Sequence, residues 1–480
     1  MRPPARRAGR TAVLLAAALA LAACVPLRAA PDRDPATAAQ AAFLDTLEHR
    51  TFEWFWDVSD PRTGMTPDRW PTRSFASVGA VGFALTAYPI GAERGWVTRE
   101  AAAARTLATL RFFWTAPQDT AARGVTGYRG FFYHFLDPAT GHRFEDVELS
   151  TIDSALLLAG ALFCQSYFDR SDAREDSVRA VAESLYARAD WRWAQVRPPS
   201  IGMGWKPREG HLGWDWHGYD EAMILNILAL GAPTHAVGPE VWEAWTRDYR
   251  WGTFHGQEHI GFAPLFGHQY SHVWIDFRGI RDAYMREKGI DYFENSRRAT
   301  LAQRAYAIAN PSGFTGYGER LWGLSACDGP VDATHQIGGR DRTFRTYSAR
   351  GASFTNVEDD GTIAPTAAGG SIAFAPEAVI PTLMAMRMDY GARAFGRYGF
   401  LDAFNPTLRL ATRVQHGVVD TTLGWFDTDY LGIDQGPILA MIENHRSGLV
   451  WRTVRRNPHI VRGLRRAGFT GGWLDSLGGR

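Results

Sequence analysis

Gly213-Trp-Asp-Trp-His-Gly-Tyr-Asp-Glu221 runs straight into Ala222-Met-Ile-Leu-Asn-Ile-Leu-Ala-Leu230. The change from a loop of rings and carboxylates to an unbroken apolar run predicts a helix over 219–231. Counting on from Glu221 puts Ile224, Leu225 and Leu228 on the same helical face, the one that normally turns inward. An acid on that face loses water, and desolvation favours its protonated form, which is what a general acid working near neutral pH requires. The neighbouring rings fit a sugar ligand, since flat aromatic faces pack on the C–H faces of pyranoses.

Outward from this segment, helical periodicity dominates from residue 38 on. Helices are expected over 39–57, 74–90, 98–114, 150–168, 172–193, 219–231, 239–248, 265–277, 291–309, 375–390, 407–413 and 435–446. Ser150-x-x-Asp153 fits a capping box, and Pro239 and Pro437 suit first turns. Strand-like material is confined mainly to 124–147 and 314–365 and reads as hairpin-bearing loops. No linker divides the chain after residue 40, so 39–480 reads as one domain. About twelve helices with long loops predict an all-α fold of helical hairpins closed into a ring, an (α/α)6 barrel, whose inner helix starts converge on one funnel.

The 480 residues are 45% hydrophobic and 21% charged, enough for a large core. Net charge is +1, which offers nothing to attract nucleic acid or an anionic membrane surface, and a monomer is expected. Residues 1–24 read as a leader: Arg2, Arg6, Arg7 and Arg10 precede the apolar run 11–23. Leu21-Ala22-Ala23-Cys24 resembles a lipobox, so Cys24 is the expected lipidation point, with 25–38 as a flexible tether and a periplasmic or outer-membrane address. The alternative is an ordinary secretory leader cut near Ala29 or Ala30. Cys164 and Cys327 could pair, but Cys164 sits in an apolar segment and reads as a buried small hydrophobe. No Cys/His cluster has zinc spacing, no His-Glu-x-x-His or Gly-x-Ser-x-Gly pattern occurs, and neither metal nor organic cofactor is expected for the chemistry.

Three loci carry the acids. Glu148 lies just ahead of a helix; Asp153, in its first turn, is equally explained by the Ser150 capping box. Around Glu221, Asp220 could cap a helix and Asp215 could pair with an arginine. In the loop 424–437, Asp434 could cap the next helix, while Asp427 and Asp429 could order the loop by Asx turns; Glu443 reads as structural. Trp205, Trp214, Trp216, Trp274 and Trp425 fall in or beside these loops and are candidate sugar platforms, with His217, Tyr219, His268, Asp427 and Tyr430 as candidate contacts to hydroxyls.

Five ordered motifs then carry a resemblance: Glu148-Leu-Ser-Thr-Ile-Asp-Ser-Ala-Leu, Gly218-Tyr-Asp-Glu-Ala-Met, Phe266-Gly-His-Gln-Tyr-Ser-His, Asp360-Gly-Thr-Ile-Ala-Pro-Thr-Ala-Ala-Gly-Gly and Tyr430-Leu-Gly-Ile-Asp-Gln-Gly-Pro-Ile. Over about residues 40–455 the chain resembles the glucoamylase-like domain of glycoside hydrolase family 144. The resemblance implies an (α/α)6 fold and hydrolysis of β-1,2-glucan to sophorose or longer oligosaccharides with inversion, and kinship to a transglycosylating domain. It places the general acid on Glu221. For the base, which the resemblance allows to act through a substrate hydroxyl, Asp434 comes first, then Glu148, Asp153 and Asp427.

Overall fold

The computed structural model describes Met1 and residues 35–477. The expected leader, Cys24 and the tether up to residue 34 lie outside the described residues. The chain divides into two compact units, Met1–Ala42 and Phe43–Arg480. Of the first, the described part is Met1 and the opening of the helix Pro35–Val58; everything below concerns the second.

Among the described residues, five helices make a closed inner run, each packed on the next. Val78–Glu93 lies against Thr151–Tyr167, that against Met223–Gly231, that against the short Tyr270–Trp274, and that against Gly432–Arg446, which returns to Val78–Glu93. The four longer ones are buried along most of their length, and the first three are apolar all round, as buried helices are expected to be. A second set backs them. Arg99–Thr115 and Ala173–Arg188 pack on each other and on the first two inner helices, and Pro458–Arg466 packs on Met223–Gly231. These outer helices bury one stripe each, such as Ala103, Leu107 and Leu110 in the first and Val178, Ala182 and Leu185 in the second.

The first inner crossing depends on glycine. A Cβ on Gly82 would stand 2.3 Å from the Leu156 carbonyl oxygen, and one on Gly160 would stand 2.3 Å from the Gly82 carbonyl oxygen. The backbones therefore meet with no side chain between them, and any larger residue would force the helices apart.

Hydroxyl caps set where the inner helices begin. The Ser77 side chain accepts the Ala80 N–H at 3.3 Å, and Ser150 accepts the Asp153 N–H at 3.2 Å, as the capping-box spacing predicts. The helix expected from 219 begins only at Met223. Its first turn has no cap of its own; Asp220 Oδ1 takes the Ala222 N–H at 2.9 Å, and the Ser271 hydroxyl, from a neighbouring helix, takes the Ile224 N–H at 2.9 Å.

Strands are more numerous than the all-α reading allowed: 22 short ones in nine sheets among the described residues. Besides 124–147 and 314–365 they occur within 69–77, 149–150, 204–211, 251–260 and 395–431, where pieces of two to four residues are too short to show alternation. The largest sheet runs in the order Gly127–Tyr128, Phe131–Tyr133, Leu149–Ser150, Gly204–Lys206, Gly210–His211, antiparallel throughout. Two expected helices also change. Segment 407–413 is irregular, its start turned by Asn405, whose side-chain oxygen takes the Thr407 N–H at 3.0 Å. Segment 265–277 breaks into a 3-10 turn, Leu265–His268, and the helix Tyr270–Trp274.

Candidate active site

The starts of the inner helices meet at one cavity of about 490 Å³. Ser77, Ile152 and Asp153, Glu221, Phe266 and Tyr270, and Leu431 and Ile433 line it, joined by Asp68, Arg69, His134, Phe75, Phe135 and Tyr347. Helix N-termini present free N–H groups and the positive ends of their dipoles, so polar ligands and acids gather there. Three carboxyls reach the cavity: Asp68, Asp153 and Glu221.

Glu221 borders the cavity and is half-buried. Burial pushes its pKa up to about 7, with its own backbone N–H pulling down and the charge of Asp153 pushing further up. Its backbone is fixed by Ser271, whose hydroxyl donates to the Glu221 carbonyl at 3.0 Å. Because Asp220 and Ser271 serve the helix start, the Glu221 carboxyl is not used as a cap. The inward-face expectation placed Glu221 within the helix; in the structure it stands before the helix, in the turn that faces the cavity. Asp220 is itself raised well above the usual range by burial and by Glu221.

Opposite charges organise the second wall. His134 sits between Glu148, at 2.8 Å from Nδ1, and Asp153, at 3.6 Å from Nε2. Burial lowers its pKa, but the two carboxylates and Asp68 outweigh that and lift it to about 9. Burial raises Glu148, and the hydrogen bond and charge of His134, with a backbone N–H and Lys206, together bring it below its usual value. Gly79 makes room here, since a Cβ on it would lie 2.7 Å from Asp153 Oδ1. A pKa raised in the folded state means the imidazolium's contribution is complete below about pH 6.5 and is lost as pH rises through about 9. We therefore expect His134→Gln to be less stable than the parent at pH 6, with the gap closing by pH 9.5, as urea unfolding at the two pH values would read.

Asp68 is pushed up to about 6 by burial, with Arg69 and His134 resisting. Arg69 reaches Asp328 at 2.6 Å and Asp68 at 3.6 Å. Asp434, in the first turn of its helix, is buried and not among the lining residues, although Leu431 and Ile433 are. Burial lifts it to about 7. The charges of Asp434 and Glu221 both act on Tyr270, which lines the cavity.

The expected aromatic platforms fare differently. None of the ten expected substrate contacts lines the acid cavity. Trp274 stacks on Phe83 and donates to Thr86 at 3.0 Å; Trp425 is fully buried and donates to the His416 carbonyl at 2.8 Å. Trp216 is buried with its indole on Thr151, at 2.9 Å. His268 is buried, with Nε2 3.2 Å from the Phe262 carbonyl, and burial drives its pKa down to about 3. Tyr430 is buried beside Tyr398, and Asp427 is buried in its own Asx turn, accepting from Thr428 and Asp429. These are interior groups because each indole, imidazole or carboxyl has a protein partner inside the packed core. Trp205 packs on Tyr128 in the five-stranded sheet, and Trp214 is 73% exposed. His217 and Tyr219 line a second cleft of about 650 Å³, which shares Phe266 with the acid cavity. Asp215 pairs with Arg197 at 2.6 Å and Glu443 with Arg94 at 2.6 Å, both as the structural reading expected. Cys164 and Cys327 are buried and unpaired, and the Cys164 thiol donates to the Leu85 carbonyl at 3.0 Å.

Sequence reasoning missed Asp68, Arg69, His134, Tyr270 and Tyr347. Asp68 and Arg69 lie in a short Pro-rich stretch and His134 in strand material, where a lone charged residue gives no spacing to read.

The chain is similar to several known proteins. A family profile described as glycoamylase, putative glucoamylase, matches residues 213–458. An exo β-1,2-glucooligosaccharide sophorohydrolase (non-reducing end) of Parabacteroides distasonis is 27% identical over 457 residues, 88% of this chain; the chain spans 57% of that relative's length. A solved structure described as a putative glucoamylase from Bacteroides uniformis superposes with a TM-score of 0.76 at 30% identity, covering 90% of this chain and 98% of that one. The endo-β-1,2-glucanase of Chitinophaga pinensis, solved with sophorotriose and glucose, gives a TM-score of 0.76 at 27% identity over 90% of this chain and 99% of that one.

Proposed function

Because this chain belongs to the glycoamylase (putative glucoamylase) family, we propose that it is a glycoside hydrolase that cleaves β-1,2-glucan to sophorose and other β-1,2-linked oligosaccharides. The named activities of the Parabacteroides and Chitinophaga relatives support the linkage. The observation that carries the reading is Glu221, a carboxyl with a pKa of about 7 on the wall of a cavity lined by rings, charges and helix starts. In the proposed reaction Glu221 gives its proton to the leaving glycosidic oxygen as the bond to the anomeric carbon breaks. Water adds to that carbon from the opposite face, its proton passing to Asp434 through a substrate hydroxyl, so that the anomeric configuration inverts. That relay suits a carboxyl set back from the lining residues. The closed run of inner helices, backed by outer ones, supports reading the fold as an (α/α)6 barrel. From the sequence we further propose export and anchoring through a lipid on Cys24.

Chromatography of the products from linear β-1,2-, β-1,3- and β-1,4-glucans tests the proposal. Release of sophorose or longer β-1,2-oligosaccharides from the first alone is the expected result, with the α-anomer formed first by NMR. Glucan binding without new reducing ends, or cleavage of another linkage, would reject it.

A further inference from the structure

A second group of acids lies deeper. Asp328 follows the strand Ala326–Cys327, Asp402 stands between Gly399–Phe400 and Phe404–Asn405, and Asp427 follows Gly424–Phe426. All three are buried, none lines the cavity, and one carboxylate oxygen from each lies within 4.8 Å of the others. We propose that Asp328, Asp402 and Asp427 form a binding site for one calcium ion.

The backbone holds the three together. The Asp328 N–H donates to Asp402 Oδ2 at 2.8 Å, the Asp427 N–H to the Ala403 carbonyl at 2.9 Å, and the Asp402 N–H to the Asp429 carbonyl at 2.9 Å. Asp402 Oδ1 and Asp427 Oδ2 then have no protein partner. An acid outside the trio points the same way: Asp434 is 3% exposed, its carboxyl stands within hydrogen-bonding range of Asp402, and its Oδ2 too is without a partner. With Asp429, five buried carboxyls share this region. Arg69 pairs with Asp328 at 2.6 Å and reaches Asp429 at 3.8 Å, while Arg350 is engaged by Asp360 at 2.8 Å. One guanidinium does not balance that much negative charge, and buried oxygens left bare are costly.

The donor set selects the ion. All donors are hard carboxylate oxygens, which suit calcium or magnesium and not a softer metal. Calcium takes six to eight oxygens at about 2.3–2.6 Å in flexible geometry, whereas magnesium demands a near-ideal octahedron at about 2.0–2.1 Å and keeps several waters, so an enclosed all-carboxylate set favours calcium. A sugar in the cavity does not touch Asp328, Asp402 or Asp427, none of which lines it.

Isothermal titration of CaCl2 into the EDTA-treated protein, with thermal unfolding in parallel, tests the site. We expect one calcium per chain and a melting midpoint raised by several degrees, on the order of 3–5 °C at saturation. Asp402→Asn and Asp427→Asn each weaken binding at least about 10-fold, since each removes a charged ligand. A cooperative thermal transition of each calcium-free variant, near that of the calcium-free parent, shows that the fold is kept. Glu221→Gln binds calcium like the parent, which separates this outcome from that of the hydrolase proposal. Absence of both heat and midpoint shift, or undiminished binding in the two Asn variants, would overturn the site.

Discussion

Glu221→Gln lowers kcat on linear β-1,2-glucan by about 10³-fold, a barrier increase of about 4 kcal/mol, and leaves substrate affinity nearly unchanged. The amide keeps the shape and polarity of the carboxyl but has no proton to give at neutral pH. Three further readouts separate loss of a proton donor from loss of structure. With an aryl β-sophoroside whose leaving group needs no protonation, the deficit shrinks to about 10-fold or less. The parent loses activity as pH rises through about 7, where Glu221 ionises, and the variant lacks this alkaline limb. Stability moves the other way. Glu221 has a folded pKa raised above its ordinary 4.5, so its contribution is intact below pH 4.5 and is lost as pH rises through about 7. Gln carries no such penalty, and urea unfolding at pH 8 should find the variant more stable than the parent by on the order of 2 kcal/mol. A variant with near-normal turnover on the natural glucan would end the case for Glu221 as the acid.

Asp434→Asn gives a loss of the same order, about 10³-fold in kcat, with a different pattern. The activated aryl substrate does not rescue it, because removing the water's proton is still required whatever the leaving group. The alkaline limb belonging to Glu221 persists. Asp153→Asn is the informative comparison, since Asp153 lines the cavity and Asp434 does not. Asp153 already receives the Ser150 hydroxyl at 2.5 Å and faces His134, both duties of a wall that orders the site. If Asp153→Asn shows the unrescued 10³-fold loss and Asp434→Asn stays within about 10-fold of the parent, the base assignment passes to Asp153.

Chain-local signals were strong enough to be read directly. Apolar runs at helical spacing marked the inner helices, the Ser150 capping box marked one start, and a carboxyl beside the run at 222–230 marked Glu221. Each of these depends on residues within a few positions of one another, where helix geometry dictates the neighbours. The rings of Trp274 and Trp425 show where such reading stops. A tryptophan in a Gly-rich loop can serve a ligand or fill a core, and its composition is the same in both cases; the Thr86 hydroxyl and the His416 carbonyl that claim these indoles become neighbours only when the chain folds.

Sequence alone therefore determined that the interior is helical, where its main helices lie and which acid stands at the mouth of the most apolar one. Tertiary structure decided which groups share the cavity with it. His134 comes to lie between Glu148 and Asp153 through strand pairing, and Asp68 and Arg69 arrive from a segment with no periodicity of its own. Asp328, Asp402 and Asp427 converge through hydrogen bonds that their backbone N–H groups make to segments distant in the chain. Proton affinity and charge balance depend on distance and burial in space, which spacing along a chain does not encode.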